Sequence, residues 1–365
     1  MPKLPRCRAG YPLNRRKTKQ PMVCSKSIFR TVLSVFLLAA TVSLATEPTD
    51  SRRPILIDAV PGRPLVTGLA AAARGELLSV EPGIVFTAPT APGLAVTRGV
   101  ILVPGLLARE QSMTSLLSAV EKHESTVGIF RYPTHEGIRS AATVLSEQLR
   151  LLRSTHPDAK FILVTHSMGG LVARWCLEDP TTNPGNVSRL IMIAPPNHGS
   201  AIAELSAAEL AKRFSWLNAA TAEGCDTVDA AVGSFVGAAK DELKPDSTLL
   251  RELNARSRAP KTRYSIIAGS GGPIATSLVN ASFLIGNLFV SDQPEVKAAL
   301  DSAREIVNID EWTKGRGDGV VSIESTRLSG VSDLITLPFG HNDFGLRTTD
   351  AADRVNAEVI KRLND

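Results

Sequence analysis

The 365 residues are 43% hydrophobic, enough apolar material for a sizeable core, which excludes a wholly disordered chain. The formal charge of +5 is an end effect: nine basic residues precede the first acidic one, Glu47, and without them 32 basic residues face 36 acidic ones. A body that is mildly acidic gives no reason to expect a nucleic acid or another polyanion as partner.

The basic head runs into an apolar stretch, residues 31–45 (TVLSVFLLAATVSLA), followed by Thr46-Glu47-Pro48. A positive n-region, a short apolar h-region and the small-x-small end Ser43-Leu44-Ala45 describe a secretory signal peptide over residues 1–45, and hence export to the periplasm or the medium. Met22 would give that signal a more ordinary start than Met1. The alternative is an uncleaved N-terminal anchor, for which the uncharged run is short of the about 20 residues that a bilayer span needs. Arg15-Arg16 sits in a poor context for a twin-arginine signal, and no Cys follows at lipoprotein spacing. Cys7 and Cys24 fall in the head. Cys176 and Cys225 then either pair in an oxidising compartment or leave Cys176 as a buried thiol. No Cys/His spacing suggests zinc.

Beyond the head, apolar runs alternate with helical patterns. Residues 54–60 (PILIDAV), 83–88 and 99–103 (GVILV) read as strands. Met113, Leu116, Leu117 and Val120 recur at helical spacing with Ser112 as N-cap. Residues 127–132 are a strand, and Ile138, Ala141, Ala142, Leu145, Leu149 and Leu152 trace one face of a long helix that ends near His156-Pro157. Strands at 160–164 (KFILV) and 189–194 flank a helix at 171–177; strands at 264–268 and 334–337 and a closing helix at 352–363 complete the series. This alternation implies a mainly parallel sheet covered on both faces, in one domain over residues 46–365. Two stretches break the rhythm: an Ala-rich helical insertion near 200–260, and 270–316 with its apolar patch at 278–290. Insertions of that length are usually lids or caps over a binding site.

The densest chemistry lies at residues 160–174, KFILVTHSMGGLVAR. An apolar strand runs into Thr165-His166-Ser167-Met168-Gly169 and a helix begins at once. A nucleophile elbow has this form because its turn is too tight for side chains beside the serine. Its strain lifts the serine oxygen above the sheet edge, where the new helix's N-terminal amides favour developing negative charge. Thr165 stands where the strict G-x-S-x-G pattern has Gly, while Gly169 and Gly170 supply the other close approach. His166 reads as a packing neighbour, because adjacent residues in such a turn point apart. The plain alternative for Ser167 is a cap on a core helix.

Residues 101–107 (ILVPGLL), this elbow, and 194–200 (APPNHGS) resemble the lipase/esterase branch of the α/β-hydrolase superfamily; the likeness covers roughly 99–344. It implies an α/β-hydrolase fold, a mainly parallel sheet flanked by helices with inserted cap or lid segments. Ser167 would be the nucleophile. Pro104-Gly105-Leu106 stands where such enzymes carry His-Gly-x, with Pro104 replacing the usual His, so the resemblance makes the backbone N–H groups of Leu106 and Met168 the oxyanion donors. Family order is Ser, acid, His. Gly317-Asp318-Gly319-Val320-Val321 resembles the D-G-V-V segment that holds the acid, with Asp310 and Asp333 in less apt settings. His341, in the loop after the 334–337 strand, is the one histidine beyond Asp318 and takes the place of the general base. His198, in the segment that shapes the floor of such sites, is the second choice.

The implied activity is hydrolysis of a carboxylic, lipid-type ester through an acyl-enzyme, with no metal or organic cofactor. Partners would be a small-molecule or lipid ester and, transiently, a lipid interface. An acyltransferase or thioesterase would use the same triad. An inactive binding protein of the same fold is the alternative of a different class, and it would be expected to lack a triad member.

Overall fold

The computed structural model describes residues 82–87, 96–106, 113–205, 239–272, 309–341, 343 and 349–365. The chain divides after Ser51 into two units, of which the first lies wholly outside the described residues. With it fall the expected signal peptide, and outside too are the strand expected at 54–60, Ser112, Cys225, the 278–290 patch and most of both insertions. No helix among the described residues is long and apolar enough to cross a membrane.

Seven strands build one sheet: β1 (Gly83–Phe86), β2 (Arg98–Val103), β3 (Val127–Arg131), β4 (Lys160–His166), β5 (Val187–Ile193), β6 (Arg263–Gly269) and β7 (Leu334–Leu337). Their order is β1-β3-β2-β4-β5-β6-β7. β1 runs antiparallel to β3 and every other pair is parallel. The strand boundaries match the sequence expectation within a few residues, because the five inner strands are apolar runs buried on both faces and the edge strands β1 and β7 are short, half-buried apolar runs.

Period-2 alternation divides those runs between two cores. Ile101, Val103, Phe130, Phe161, Leu163, Leu190, Met192 and Ile266 enter one; their neighbours Val100, Leu102, Ile129, Ile162, Val164, Ile191, Ile193 and Ile267 enter the other. The first core is closed by α2 (Ile138–Thr155), α3 (Met168–Leu177) and α4 (Thr248–Ala255), the second by α1 (Thr114–Glu121) and α6 (Asp350–Asn364). A one-turn helix, α5 (Ile323–Thr326), lies between β6 and β7 in the chain. Burying one such aliphatic side chain is worth about 1.5–3 kcal/mol, so a register slip in any central strand would exchange both faces at once.

Two local expectations change. Helix α1 starts at Thr114 with Met113, not Ser112, as its N-cap residue and no side-chain cap; the fully buried Met113 side chain anchors that end instead. Within the 200–260 insertion, Ala239, Leu243, Leu249, Leu250 and Leu253 are core residues of the α2–α3 face. That described part packs as core and not as a lid, because α4 presents its three leucines on one side.

Candidate active site

The parallel strands converge on one edge of the sheet with their C-terminal ends, the place where open α/β sheets bind ligands. Ser167 stands there, between the end of β4 and the start of α3, at φ 53° and ψ −130°. A positive φ costs a non-glycine residue about 1–3 kcal/mol, so the surrounding structure must hold the turn. It does so through two backbone bonds: Ser167 N–H donates to Ile193 O at 2.9 Å, and Gly170 N–H donates to Ser167 O at 2.9 Å. The Ser167 side chain is partly exposed, unlike the buried His166 and Met168 on either side.

The glycine requirement of the elbow falls on one side only. A Cβ at Gly169 would lie 2.6 Å from the Pro104 carbonyl oxygen and against that of Val103, which no side chain survives. Thr165 is instead an ordinary residue of β4, buried, with its hydroxyl 3.4 Å from Ile191 O. That is why threonine serves where the strict pattern has glycine. Gly105 closes the other flank: a Cβ there would stand 2.8 Å from Ser167 Cβ. The Pro104-Gly105-Leu106 loop therefore lies directly against the serine. Met168 is the first residue of α3, so its N–H has no intrahelical acceptor and is available to a ligand.

Asp318 and His341, 23 residues apart, meet twice: His341 N–H donates to Asp318 O at 2.8 Å, and His341 Nδ1 lies 2.8 Å from Asp318 Oδ2. Both side chains are buried. A carboxylate only accepts, so Nδ1 carries a proton, and in the neutral ring the lone pair is then on Nε2. The other carboxylate oxygen, Oδ1, accepts the N–H groups of Val320 and Val321 at 2.9 and 2.8 Å. Gly269, the last residue of β6, leaves room for this loop: a Cβ there would lie 2.6 Å from Asp318 Cβ. Gly319, at φ 101°, permits the turn that brings those two amides back to the acid.

The less favoured candidates are engaged elsewhere. Asp310 pairs with Arg316 at 2.5 Å near the surface, and Asp333 holds Arg362 through both carboxylate oxygens at 2.6 and 2.9 Å. His198 is exposed, its Nδ1 3.4 Å from Asn254 Nδ2, with no carboxylate partner among the described residues.

His166 joins the elbow to the histidine loop. Its ring lies 4.6 Å from that of His341, tilted by 44°. Burial, and then the neighbouring His341, hold His166 well below the ordinary histidine range. The unfolded chain therefore binds a proton below about pH 6.5 that the folded chain refuses. Stability from this group is present above that pH and is lost as pH falls, by about 1.4 kcal/mol per unit. Urea unfolding between pH 7 and pH 5 should show that slope, and His166→Phe should flatten it. Glu178 and Glu311, raised by burial, bias the slope the other way, but equally in both proteins. Identical pH dependence of parent and variant would contradict the neutral assignment.

Sequence reasoning passed over the residues that bind these parts together. Arg174 on α3 is fully buried and pairs with Glu178 at 3.0 Å. Burial lowers the guanidinium and raises the carboxyl, and each partner offsets the shift of the other. Arg174 Nη1 also donates to Asn197 Oδ1 at 3.0 Å, and Asn197 Nδ2 donates onward to Thr326 O at 2.8 Å. Ser200 Oγ donates to Val320 O at 2.6 Å. The 195–200 segment thus ties the elbow helix to the Asp318 loop. Glu311, buried beside that loop, accepts Ala201 N–H at 3.0 Å and, through its carbonyl, Gly319 N–H at 2.6 Å. The one visible signal was Arg174 in the otherwise apolar helix MGGLVARWCL, with Glu178 four residues on at its C-cap. Cys176, on the same helix, is a free buried thiol that burial pushes up to about 12.

A family model described as a domain of unknown function (DUF7379) matches residues 139–293. No curated protein matches the sequence. Among solved structures, the chain is similar to the mature form of the lipase BlEst2 of Bacillus licheniformis, at 17% identity over 78% of this chain and 98% of that one, with a TM-score of 0.49. It is similar to phospholipase PlaB of Legionella pneumophila at 21% identity and TM-score 0.40, covering 63% of this chain and 46% of that one. A metagenomic carboxyl esterase, MGS0156, gives 20% identity and TM-score 0.42 over 83% of this chain and 87% of that one. The strand order of the sheet and the strand–Ser167–helix turn at its centre are those of the α/β-hydrolase fold.

Proposed function

We propose that this chain is a serine hydrolase that cleaves carboxylic esters, with lipid-type esters as its substrate class. The observation that carries the reading is the Asp318–His341 pair, which fixes a histidine with its Nε2 lone pair free on the same sheet edge as a strained, partly exposed serine. His341 Nε2 takes the Ser167 proton as Oγ attacks the acyl carbonyl, and the carbonyl π electrons move onto oxygen. The amides of Leu106 and Met168 bind that oxyanion, each such donor being worth about 10²–10³ in rate. The imidazolium, stabilised by Asp318, returns the proton to the departing alkoxide and leaves an acyl-enzyme. Water then repeats the cycle and releases the acid. No step calls on a metal or cofactor. The same reading takes residues 1–45 as an export signal, which places the mature enzyme outside the cytoplasm.

A panel of p-nitrophenyl esters from C2 to C16 tests this. Turnover that rises with chain length, and disproportionately above the solubility limit of the substrate, is the result expected of a lipid-type esterase. Absence of turnover on every chain length by folded protein would overturn the hydrolase reading. Highest efficiency on C2 to C4 with smooth saturation would overturn only the lipid part.

A further inference from the structure

The loop that carries the Leu106 amide has little to fix it from within. Proline locks its own φ at 104, but its ψ is free, and Gly105 is permissive at both dihedrals. Ser167 and Gly169 limit the loop by steric contact. One side chain does more: Tyr132 Oη lies 2.7 Å from Pro104 O, in a buried hydrogen bond. A carbonyl only accepts, so the phenol donates. Burial also holds Tyr132 far above the ordinary phenol range, which keeps that proton in place at any pH used for ester assays.

Tyr132 reaches this carbonyl because of the sheet register. β2 and β3 are parallel, with Val100 opposite Val127 and Leu102 opposite Ile129, so the residues just past the two strands run side by side. Period 2 puts Tyr132 on the α2–α3 face with Phe130, and the two rings stack at 5.0 Å with 15° between their planes. Packing alone therefore holds the ring, which frees the hydroxyl for a separate task.

We propose that Tyr132 is a positioning residue for the oxyanion hole: its hydroxyl fixes the Pro104–Gly105 peptide and so aims the next amide, Leu106 N–H, at the position where the oxyanion forms. The sequence is consistent with such a need. Where the resemblance has His-Gly-x, this chain has a residue with no N–H, and the one backbone polar group of Pro104 is the carbonyl that Tyr132 takes. The inference rests on the proposed role of Leu106 in the hydrolase reading.

Tyr132→Phe removes one oxygen and keeps the ring, its stacking and its place in the core. The full chain should fold, and kcat per active site, counted by titration to completion with an organophosphonate, should fall about 10- to 100-fold, as for a misaligned catalytic group. KM should stay within about threefold. The Ki of an alkyl boronic acid, whose tetrahedral adduct on serine places an oxygen in the hole, should rise by the same factor as kcat falls, while binding of the product carboxylate stays unchanged. A purely structural role would lower the fraction of titratable sites without moving kcat per site or the boronate Ki. Values of both within twofold of the parent, a change confined to KM, or a variant that does not fold would each overturn the proposal. Ser167→Ala run in parallel separates the two levels: turnover retained there overturns the nucleophile assignment itself, whatever Tyr132→Phe does.

Discussion

Ser167→Ala is expected to melt as the parent does and to hydrolyse p-nitrophenyl esters at least about 10⁴-fold more slowly. Two features of the structure lead to that outcome. The side chain is partly exposed, so removing one oxygen leaves no cavity in either core. The turn is held by backbone bonds from Ser167 N–H to Ile193 and from Gly170 N–H to Ser167 O, and alanine makes both as well as serine does. Alanine also meets the same penalty at φ 53°, so the strain is unchanged. What disappears is the nucleophile, and the residual rate would come from the oxyanion donors and binding alone. Circular-dichroism melting and steady-state turnover on one preparation read the two halves. A variant with parental rate would place the chemistry at another residue.

Asp318→Asn and His341→Ala form the second large effect. The Asp318 carboxylate accepts three donors, Val320 N–H, Val321 N–H and His341 Nδ1–H. An asparagine keeps one oxygen. If that oxygen stays with the two valine amides, an N–H faces His341 Nδ1 and stabilises the tautomer with the proton on Nε2, which cannot act as a base. A loss of about 10⁴-fold in kcat is the expected size for the wrong tautomer, and His341→Ala should cost as much by removing the base. The controls carry equal weight. Asp310→Asn breaks an exposed ion pair of a kind worth about 0–1 kcal/mol, and His198→Ala trims an exposed ring; each should leave turnover within about threefold. Should His198→Ala prove the more damaging histidine change, the base has been misassigned.

The parts of this site that were legible in the sequence are those set by local chemistry. β4 and β5 announce themselves as apolar runs because both faces are buried, and the elbow does so because Gly169 must clear two carbonyls. Asp318 and His341 were named through the resemblance, from its order of serine, acid and histidine and its D-G-V-V segment, and the two side chains lie 2.8 Å apart in the structure. The rest depends on partners distant in sequence. Tyr132 meets Pro104 across 28 residues, Arg174 meets Asn197 across 23, and Asn197 meets Thr326 across 129. No periodicity reports such contacts. α4 was read within a cap because its Ala-rich surroundings dominate the composition, whereas its leucines belong to the core. The start of α1 was misplaced for the opposite reason, since a serine near a helix start suggests a cap, whereas a buried methionine holds that end.

The central claim is that one serine, activated by one histidine, performs the chemistry. A reactive organophosphonate ester tests it most directly, because phosphonylation needs the nucleophile, the base and the oxyanion hole together. Intact-mass analysis of the parent should show a single adduct, peptide mapping should place it on Ser167, and ester hydrolysis should fall in step with labelling; His341→Ala should label far more slowly and Ser167→Ala not at all. Stoichiometric labelling at another residue, or undiminished labelling of Ser167→Ala, would contradict the account.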